Sequence, residues 1–187
     1  EVRTQAAKVL GESAHAKALE PLLSLLKDSS LRVRFHAAVA LGKLRSAKAI
    51  NPLIELVLKN DDDDAFLRHG AVMGLVGSTK TDPKVLLELT SSSHSSVRLA
   101  AILALRRHAD PGISVFLKDE DLYLVTETAR AIHDDFSIPD ALPALAEILE
   151  RSDLEGEPLI RRAINANFRV GRPVDAERLA RYASNLS

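Results

Sequence analysis

Apolar and small side chains recur along this chain with the spacing of one face of an α-helix, and the pattern returns about every thirty residues. The clearest copy spans residues 28–42 and reads DSSLRVRFHAAVALG. Val33, Ala37, Ala38 and Leu41 fall on one stripe of the helix that this copy predicts. Because alanine has little bulk, we expect a second helix to approach closely there, and a larger residue at Ala38 to overpack the contact.

A second helix is predicted in every copy by a regularly spaced proline, because proline suits the first turn of a helix and breaks its interior. Each proline adjoins a short apolar stretch, such as LIELVL at residues 53–58. Each copy therefore predicts helix, turn, helix, and neither helix could bury its apolar face alone. The six prolines are Pro21, Pro52, Pro83, Pro111, Pro143 and Pro173.

These repeats predict an all-α fold, a right-handed α-solenoid of about six stacked helix-turn-helix units. Because the chain starts inside a helical pattern without an initiator Met, we expect it to be part of a longer protein. We expect a single array over residues 1–187, with repeats at about 1–28, 29–61, 62–92, 93–119, 120–154 and 155–187.

The ends of the first helices are predicted from capping chemistry. Acidic or hydroxylic residues suit a helix N-terminus, where backbone N–H groups lack partners, and they precede five copies of the stripe: Asp28, Asp62, Ser92, Glu120 and Glu155. Glycine most easily takes the left-handed conformation that ends a helix, so we expect helix ends at Gly11, Gly42, Gly77 and Gly171.

The acidic residue, Val-Arg, paired Ala and Leu-Gly of DSSLRVRFHAAVALG, followed by proline and LIELVL, resemble the HEAT-repeat superfamily, and within it the HEAT-like repeats of phycobilisome lyases. The resemblance covers nearly the whole chain and implies a protein-binding scaffold. The segments LYLVTETARAIHDDFSIPDALPALAEIL and LIRRAINANFRVGRPVDAERLA also resemble the HEAT segment of large exported bacterial proteins with a sugar-dehydrogenase-like β-propeller and a c-type haem domain. This second resemblance implies a periplasmic or secreted location and redox chemistry outside this chain, while a cytoplasmic location stays open.

Composition removes several classes of chemistry. The absence of Cys excludes a thiolate metal site, a catalytic thiol and c-type haem attachment. A net charge of −1 and the absence of Trp argue against nucleic-acid binding, and no apolar run is long enough to span a membrane. No Gly-x-Ser-x-Gly and no Gly-rich phosphate loop is present. We therefore expect no catalysis and no cofactor.

Two groups of side chains suggest a metal site, and we interpret both otherwise. The run of four aspartates at residues 61–64 lacks the Gly and the distal Glu of a calcium loop, so we expect a solvated loop that caps the following helix. The histidines form no His-x-x-x-His pair and occupy different offsets in their repeats, so we expect scattered histidines at the surface or with satisfied hydrogen bonds: His15, His36, His69, His94, His108 and His133.

Charged residues recur beside the packing positions. In five of the six repeats an Arg follows the first apolar position of the stripe, and these arginines could present a cationic surface to phosphate. We favour a structural role instead, in which the Arg bonds loop carboxylates and carbonyls and joins adjacent repeats. We call this set the inter-repeat ladder, and it comprises Arg3, Arg34, Arg68, Arg98 and Arg161 with Asp28 and Asp62.

The second helices should line the concave side of the array, which makes their polar positions the candidate binding face. Their mixed charge suits an extended polypeptide or another domain of the same chain. We expect a non-catalytic, monomeric scaffold that binds protein; the alternatives are the repeat segment of a secreted redox enzyme and, more remotely, a nucleic-acid or bilin-modifying HEAT-repeat enzyme. The candidate face comprises Ser24, Lys27, Glu55, Lys59, Glu88, Ser114, Lys118, Glu147, Arg151, Glu177 and Arg181.

Overall fold

The computed structural model describes residues 1–134 and 138–185, and the regular structure in these ranges is helical, without strands. Residues 135–137 of the expected fifth repeat and residues 186–187 of the sixth lie outside this description. The chain divides into two compact bodies, Glu1–His108 and Ala109–Ser187. The all-α solenoid is confirmed, while the single array over residues 1–187 stays a prediction.

The N-terminal body consists of consecutive helix pairs. Its helices are α1 (Val2–Ser13), α2 (Leu19–Leu25), α3 (Leu31–Leu44), α4 (Ile50–Asn60), α5 (Ala65–Ser78), the 3-10 segment Pro83–Ser91 and α6 (Ser95–His108).

The C-terminal body continues the alternation of long and short elements. It contains the 3-10 segment Pro111–Lys118, α7 (Leu122–His133), α8 (Leu142–Glu147), the 3-10 turn Ile148–Glu150, α9 (Glu157–Val170) and α10 (Pro173–Ser184). Further 3-10 turns precede α2, α4 and α8, at Ala16–Ala18, Ala47–Ala49 and Pro139–Ala141.

The predicted second elements exist, but two of them are 3-10 helices along their whole length. Pro83–Ser91 and Pro111–Lys118 both begin with the predicted proline. A 3-10 helix has three residues per turn, so Ile113 and Phe116 lie on the same side, and both are buried.

The predicted stripe of the first helices lies in the core. Ala37, Ala38 and Leu41 of α3 are 0% exposed, and Val33 is 3% exposed. Each fully buried Val or Leu contributes on the order of 1.5 to 3 kcal/mol relative to an exposed one. The alanines supply little area themselves and instead let neighbouring helices approach.

Three of the four glycines expected to end helices lie inside helices instead. Gly11, Gly42 and Gly77 belong to α1, α3 and α5, and the left-handed residues that follow α1 and α3 are Ala14 and Arg45.

The glycines serve close helix packing. A Cβ on Gly11 would lie 2.7 Å from the Cβ of Ala40, and one on Gly42 would lie 2.6 Å from the carbonyl oxygen of Met73. The prediction was correct only for Gly171, which has a φ of 67° after α9.

The predicted helix starts were two or three residues too early. Asp28 does not cap α3, since Ser30 holds that position, and Asp64 rather than Asp62 caps α5 by accepting a hydrogen bond from the backbone N–H of Leu67 at 2.7 Å. Likewise α6, α7 and α9 begin two or three residues after Ser92, Glu120 and Glu155. The earlier acid instead shapes the loop: Asp28 accepts a hydrogen bond from the backbone N–H of Ser30 at 2.9 Å.

Candidate functional site

Three residues of the candidate binding face lie together in the N-terminal body. Lys27 follows α2, while Glu55 and Lys59 lie one turn apart on α4. They line a groove of about 240 Å³, which we call the N-terminal groove. Its remaining lining residues are Leu23, Leu26, Arg34, Pro52 and Leu56.

Arg34 gives the N-terminal groove an unusual donor. It comes from α3, which packs behind the second helices, and it is the one ladder residue that lines this groove. Its Nε is buried and has no hydrogen-bond partner among the described residues. A buried donor without an acceptor costs about 1 to 3 kcal/mol, and an acceptor supplied by a bound partner would remove that cost.

Four further candidate residues lie together in the C-terminal body. Ser114 and Lys118 belong to the segment Pro111–Lys118, Glu147 ends α8, and Arg151 follows the turn after it. They line a groove of about 360 Å³, which we call the C-terminal groove. Its other lining residues are Leu117, Ala144 and Ile148.

Arg151 holds the wall of the C-terminal groove in place. Its Nη1 donates to the backbone carbonyl of Leu117 at 2.6 Å, and its Nε and Nη2 donate to the Asp153 carboxylate at 2.9 and 2.7 Å. The hydrogen bonds that Arg151 donates to Asp153 raise the pKa of Arg151 and lower the pKa of Asp153. Arg151 is therefore a structural tie as well as part of the candidate face.

The remaining candidate residues are more dispersed. Glu88 and Glu177 are exposed and line neither groove, and the hydroxyl of Ser24 donates to the carbonyl of Glu20 at 3.1 Å. Arg181 shares a separate cavity of about 670 Å³ with Arg151. It also donates to the Glu150 carboxylate at 2.7 Å.

Most of the groove charges are available to a partner. No described residue forms an ion pair with Lys27, Glu55, Lys59, Lys118 or Glu147. Each groove thus offers both signs of charge around an apolar floor.

The ladder residues make several different contacts. Arg3 binds the Asp28 carboxylate through Nε and Nη2 at 2.6 and 3.1 Å, and this pair lowers the pKa of Asp28. Arg68 pairs with Asp62.

Two further ladder arginines contact residues close to them in the sequence. Arg98 donates to the carbonyl of Ser92 at 2.7 Å, and Arg161 lies 3.6 Å from Glu157 of its own helix. The role of the whole ladder as a joint between repeats stays a prediction.

A buried polar network in the C-terminal body escaped the sequence analysis. Asp175 is 0% exposed and accepts hydrogen bonds from Arg172 Nε at 2.8 Å and from Arg178 Nη1 at 2.8 Å. Arg178 also donates to Asn167, whose amide donates to the Ala146 carbonyl at 2.9 Å. The hydrogen bond from Arg172 holds the pKa of Asp175 far below its ordinary value. The three-residue spacing of Arg172, Asp175 and Arg178 was the available signal.

The aspartate run at residues 61–64 is divided among protein partners. Asp61 accepts from the Ser96 hydroxyl at 3.0 Å, Asp62 pairs with Arg68, and Asp64 caps α5. Among the described residues, no group of three or more His, Cys, Asp or Glu could hold a metal ion. In the same part of the chain, no helix is both long and apolar enough to cross a membrane.

Comparison with known proteins finds a family match for the N-terminal part of the chain. Residues 1–76 match the HEAT repeats family. No curated protein matches the chain. The chain is an all-α solenoid whose residues 1–76, less than half of its length, are similar to HEAT repeats.

Solved structures show partial similarity. An engineered protein is 21% identical with a TM-score of 0.44, and the match covers 96% of this chain and 57% of that one. A computationally designed armadillo repeat protein for modular peptide recognition is 18% identical with a TM-score of 0.41. The match covers 87% of this chain and 90% of that one. Human deoxyhypusine hydroxylase in complex with glycerol is 19% identical with a TM-score of 0.31. The match covers 97% of this chain and 91% of that one. This chain thus spans just over half of the first of these structures.

Proposed function

We propose that this chain is a non-catalytic scaffold that binds an extended polypeptide along its second helices, in the N-terminal groove or in the C-terminal groove. The observation that carries the proposal is the N-terminal groove itself. There, Arg34 keeps a buried donor without a described acceptor beside Lys27, Glu55 and Lys59, whose charges are also unpaired among the described residues.

The chemistry of the grooves favours a polypeptide as the ligand. A peptide backbone supplies the carbonyl acceptors that Arg34 lacks, and its side chains can match charges of both signs. Apolar residues such as Leu26 and Leu56 form the floor, where an apolar side chain of the partner would be removed from water. Recognition would rest on charge pattern along the chain, as is common at polar interfaces.

The partner is another protein or another domain of the same polypeptide, and we expect the chain itself to be monomeric. The resemblance to phycobilisome-lyase repeats supports the first case. The resemblance to exported proteins with a propeller and a haem domain supports the second, with a periplasmic or secreted location. The full-length reading frame separates them, because an upstream propeller and a downstream Cys-x-x-Cys-His would establish the second case.

A peptide selection tests the proposal without knowledge of the natural partner. Short random peptides displayed on phage are selected against the wild-type chain. The binders are then measured against Lys27→Glu/Glu55→Lys/Lys59→Glu, which reverses the charges of the N-terminal groove. The matched control is Lys17→Glu/Glu20→Lys/Lys48→Glu, which makes the same net change at exposed positions outside the groove.

We expect the selected peptides to lose binding to the groove variant and to keep it in the control. Peptides that bind both variants as tightly as the wild type would contradict the proposal for the N-terminal groove. A selection that enriches no binder would contradict the scaffold function as a whole.

A further inference from the structure

A second surface of the N-terminal body has a different character from the grooves. The C-terminal ends of α3, α5 and α6 surround a cleft of about 490 Å³. It shares no lining residue with the N-terminal groove. We call it the basic cleft, and its lining residues are Val39, Gly42, Lys43, Arg45, Met73, Val76, Gly77, Lys80, Arg107 and His108.

The floor of the basic cleft is apolar and rigidly built. Gly42 and Gly77 allow α3 and α5 to touch backbone to backbone, so the floor consists of helix backbone with the half-buried side chains of Val39, Met73 and Val76. The wall from α6 is fixed to α5, since His108 Nε2 lies 3.0 Å from the hydroxyl of the buried Thr79.

The rim of the basic cleft is strongly cationic. Lys43, Arg45, Lys80 and Arg107 line it, and its lining includes no Asp or Glu. Only Lys43 has an acidic partner among the described residues, Glu12 of α1. This concentration of positive charge occurs in a chain whose net charge is −1.

Cations near helix C-termini also neutralise the carbonyl ends of helices, and that role needs no ligand. The C-terminal body contains a cation in that structural role, since Arg130 in the last turn of α7 lies 3.8 Å from the Asp134 carboxylate. In the basic cleft, by contrast, Arg45 and Lys80 lie beyond the last residues of α3 and α5 and pair with no described residue.

We propose that the basic cleft docks an acidic segment of a partner protein that carries at least one apolar side chain. The apolar side chain lies on Val39, Met73 and Val76, and the flanking carboxylates lie against Arg45, Lys80 and Arg107. Charge complementarity defines the occupant, because a rim with four cations and no acid attracts acidic segments more strongly than neutral ones and repels basic ones. The cleft lining has no Trp, Tyr or Phe on which bases could stack, so the surface favours a peptide over single-stranded nucleic acid.

Fluorescence anisotropy with a labelled Glu-Glu-Leu-Glu-Glu-Leu-Glu-Glu peptide tests this assignment at low ionic strength. The probe is compared with its Gln-for-Glu counterpart and with a labelled oligothymidine of similar length. The cleft variant is Arg45→Glu/Lys80→Glu/Arg107→Glu, with Arg45→Gln/Lys80→Gln/Arg107→Gln as the milder form. Lys17→Glu/Lys48→Glu/Lys84→Glu is the control, since it makes the same charge change at exposed positions outside the lining.

We expect saturable binding of the acidic peptide that weakens with added salt, and a rise in Kd of about tenfold or more in both cleft variants but not in the control. The groove variant Lys27→Glu/Glu55→Lys/Lys59→Glu should bind this probe like the wild type, which separates the cleft from the proposed grooves.

Several outcomes would overturn the assignment. They are equal binding of the Gln peptide, tighter binding of the oligothymidine, concentration-dependent association of the chain through the cleft, and absence of binding. Cleft variants that lose thermal stability and leave peptide binding unchanged would assign the cations to helix neutralisation instead.

Discussion

The contact between α3 and α5 gives the sharpest test of the fold. There, Gly77→Ala should lower the stability of the protein, although helix propensity alone would raise it. An Ala in a helix interior is normally more stable than Gly by about 1 kcal/mol. Here the new methyl group would overlap the carbonyl group of Gly42 and lie 2.5 Å from its Cα. Ordinary carbon contacts need about 3.5 Å, so the two helices must separate by about 1 Å, which forfeits a quarter to a half of each dispersion contact.

We expect the free energy of unfolding to fall by about 2 kcal/mol. Overpacking against backbone, which cannot rotate away, belongs at the upper end of the usual range, about 3 kcal/mol, and the helix gain of about 1 kcal/mol offsets part of it. Urea unfolding followed by circular dichroism measures the change.

Gly70→Ala is the matched control in the same helix. Its methyl group would lie 2.7 Å from Cδ2 of the half-buried Phe35 ring, which can move, and 3.2 Å from the Phe35 carbonyl oxygen. We expect a change of about zero for this variant. If Gly77→Ala were as stable as Gly70→Ala or as the wild type, the close α3–α5 contact would be refuted.

Three further perturbations test the polar contacts. Asp28→Asn should lose the ion pair with Arg3 but keep the turn at Ser30, so its Tm should lie between those of the wild type and Asp28→Ala, and added salt should narrow its gap to the wild type. Asp175→Ala removes the buried carboxylate that pairs with the buried Arg178 guanidinium and should destabilise by about 3 to 5 kcal/mol in urea unfolding; a loss under about 1 kcal/mol would contradict the network. The hydrogen bond from Arg162 lowers the pKa of Asp134 from 3.8 to about 2. A lowered folded-state pKa stabilises above pH 3.8 and loses that effect as the pH falls to about 2, so Asp134→Asn should be less stable than the wild type at pH 5 and converge with it near pH 2.

The sequence predicted those features that follow from periodicity. The stripe through Val33, Ala37 and Leu41 and the prolines at the starts of the second elements need only local spacing, and the structure contains both. The role of three glycines was predicted wrongly, because a glycine that adopts a positive φ and a glycine that allows close packing look the same in a sequence. Gly42 and Gly77 are recognised as packing residues only from the atoms of the neighbouring helix that lie beside them.

The candidate site, too, could be predicted only in those features that depend on local spacing. Which second-helix residues are polar and exposed could be predicted, and the structure brings Lys27, Glu55 and Lys59 into one groove. The contribution of Arg34 could not be predicted, because it reaches the groove from a first helix. The network around Asp175 also depends on a long-range contact, between α10 and α9, that no local pattern specifies.

Hydrogen exchange on the chain with a peptide selected against it tests the binding account most directly. The account predicts that the peptide slows amide exchange in the elements that form the two grooves, at residues 22–27 and 50–60 or at 113–118 and 142–151. Slowing confined to the first helices, such as residues 31–44 and 65–78, would contradict it.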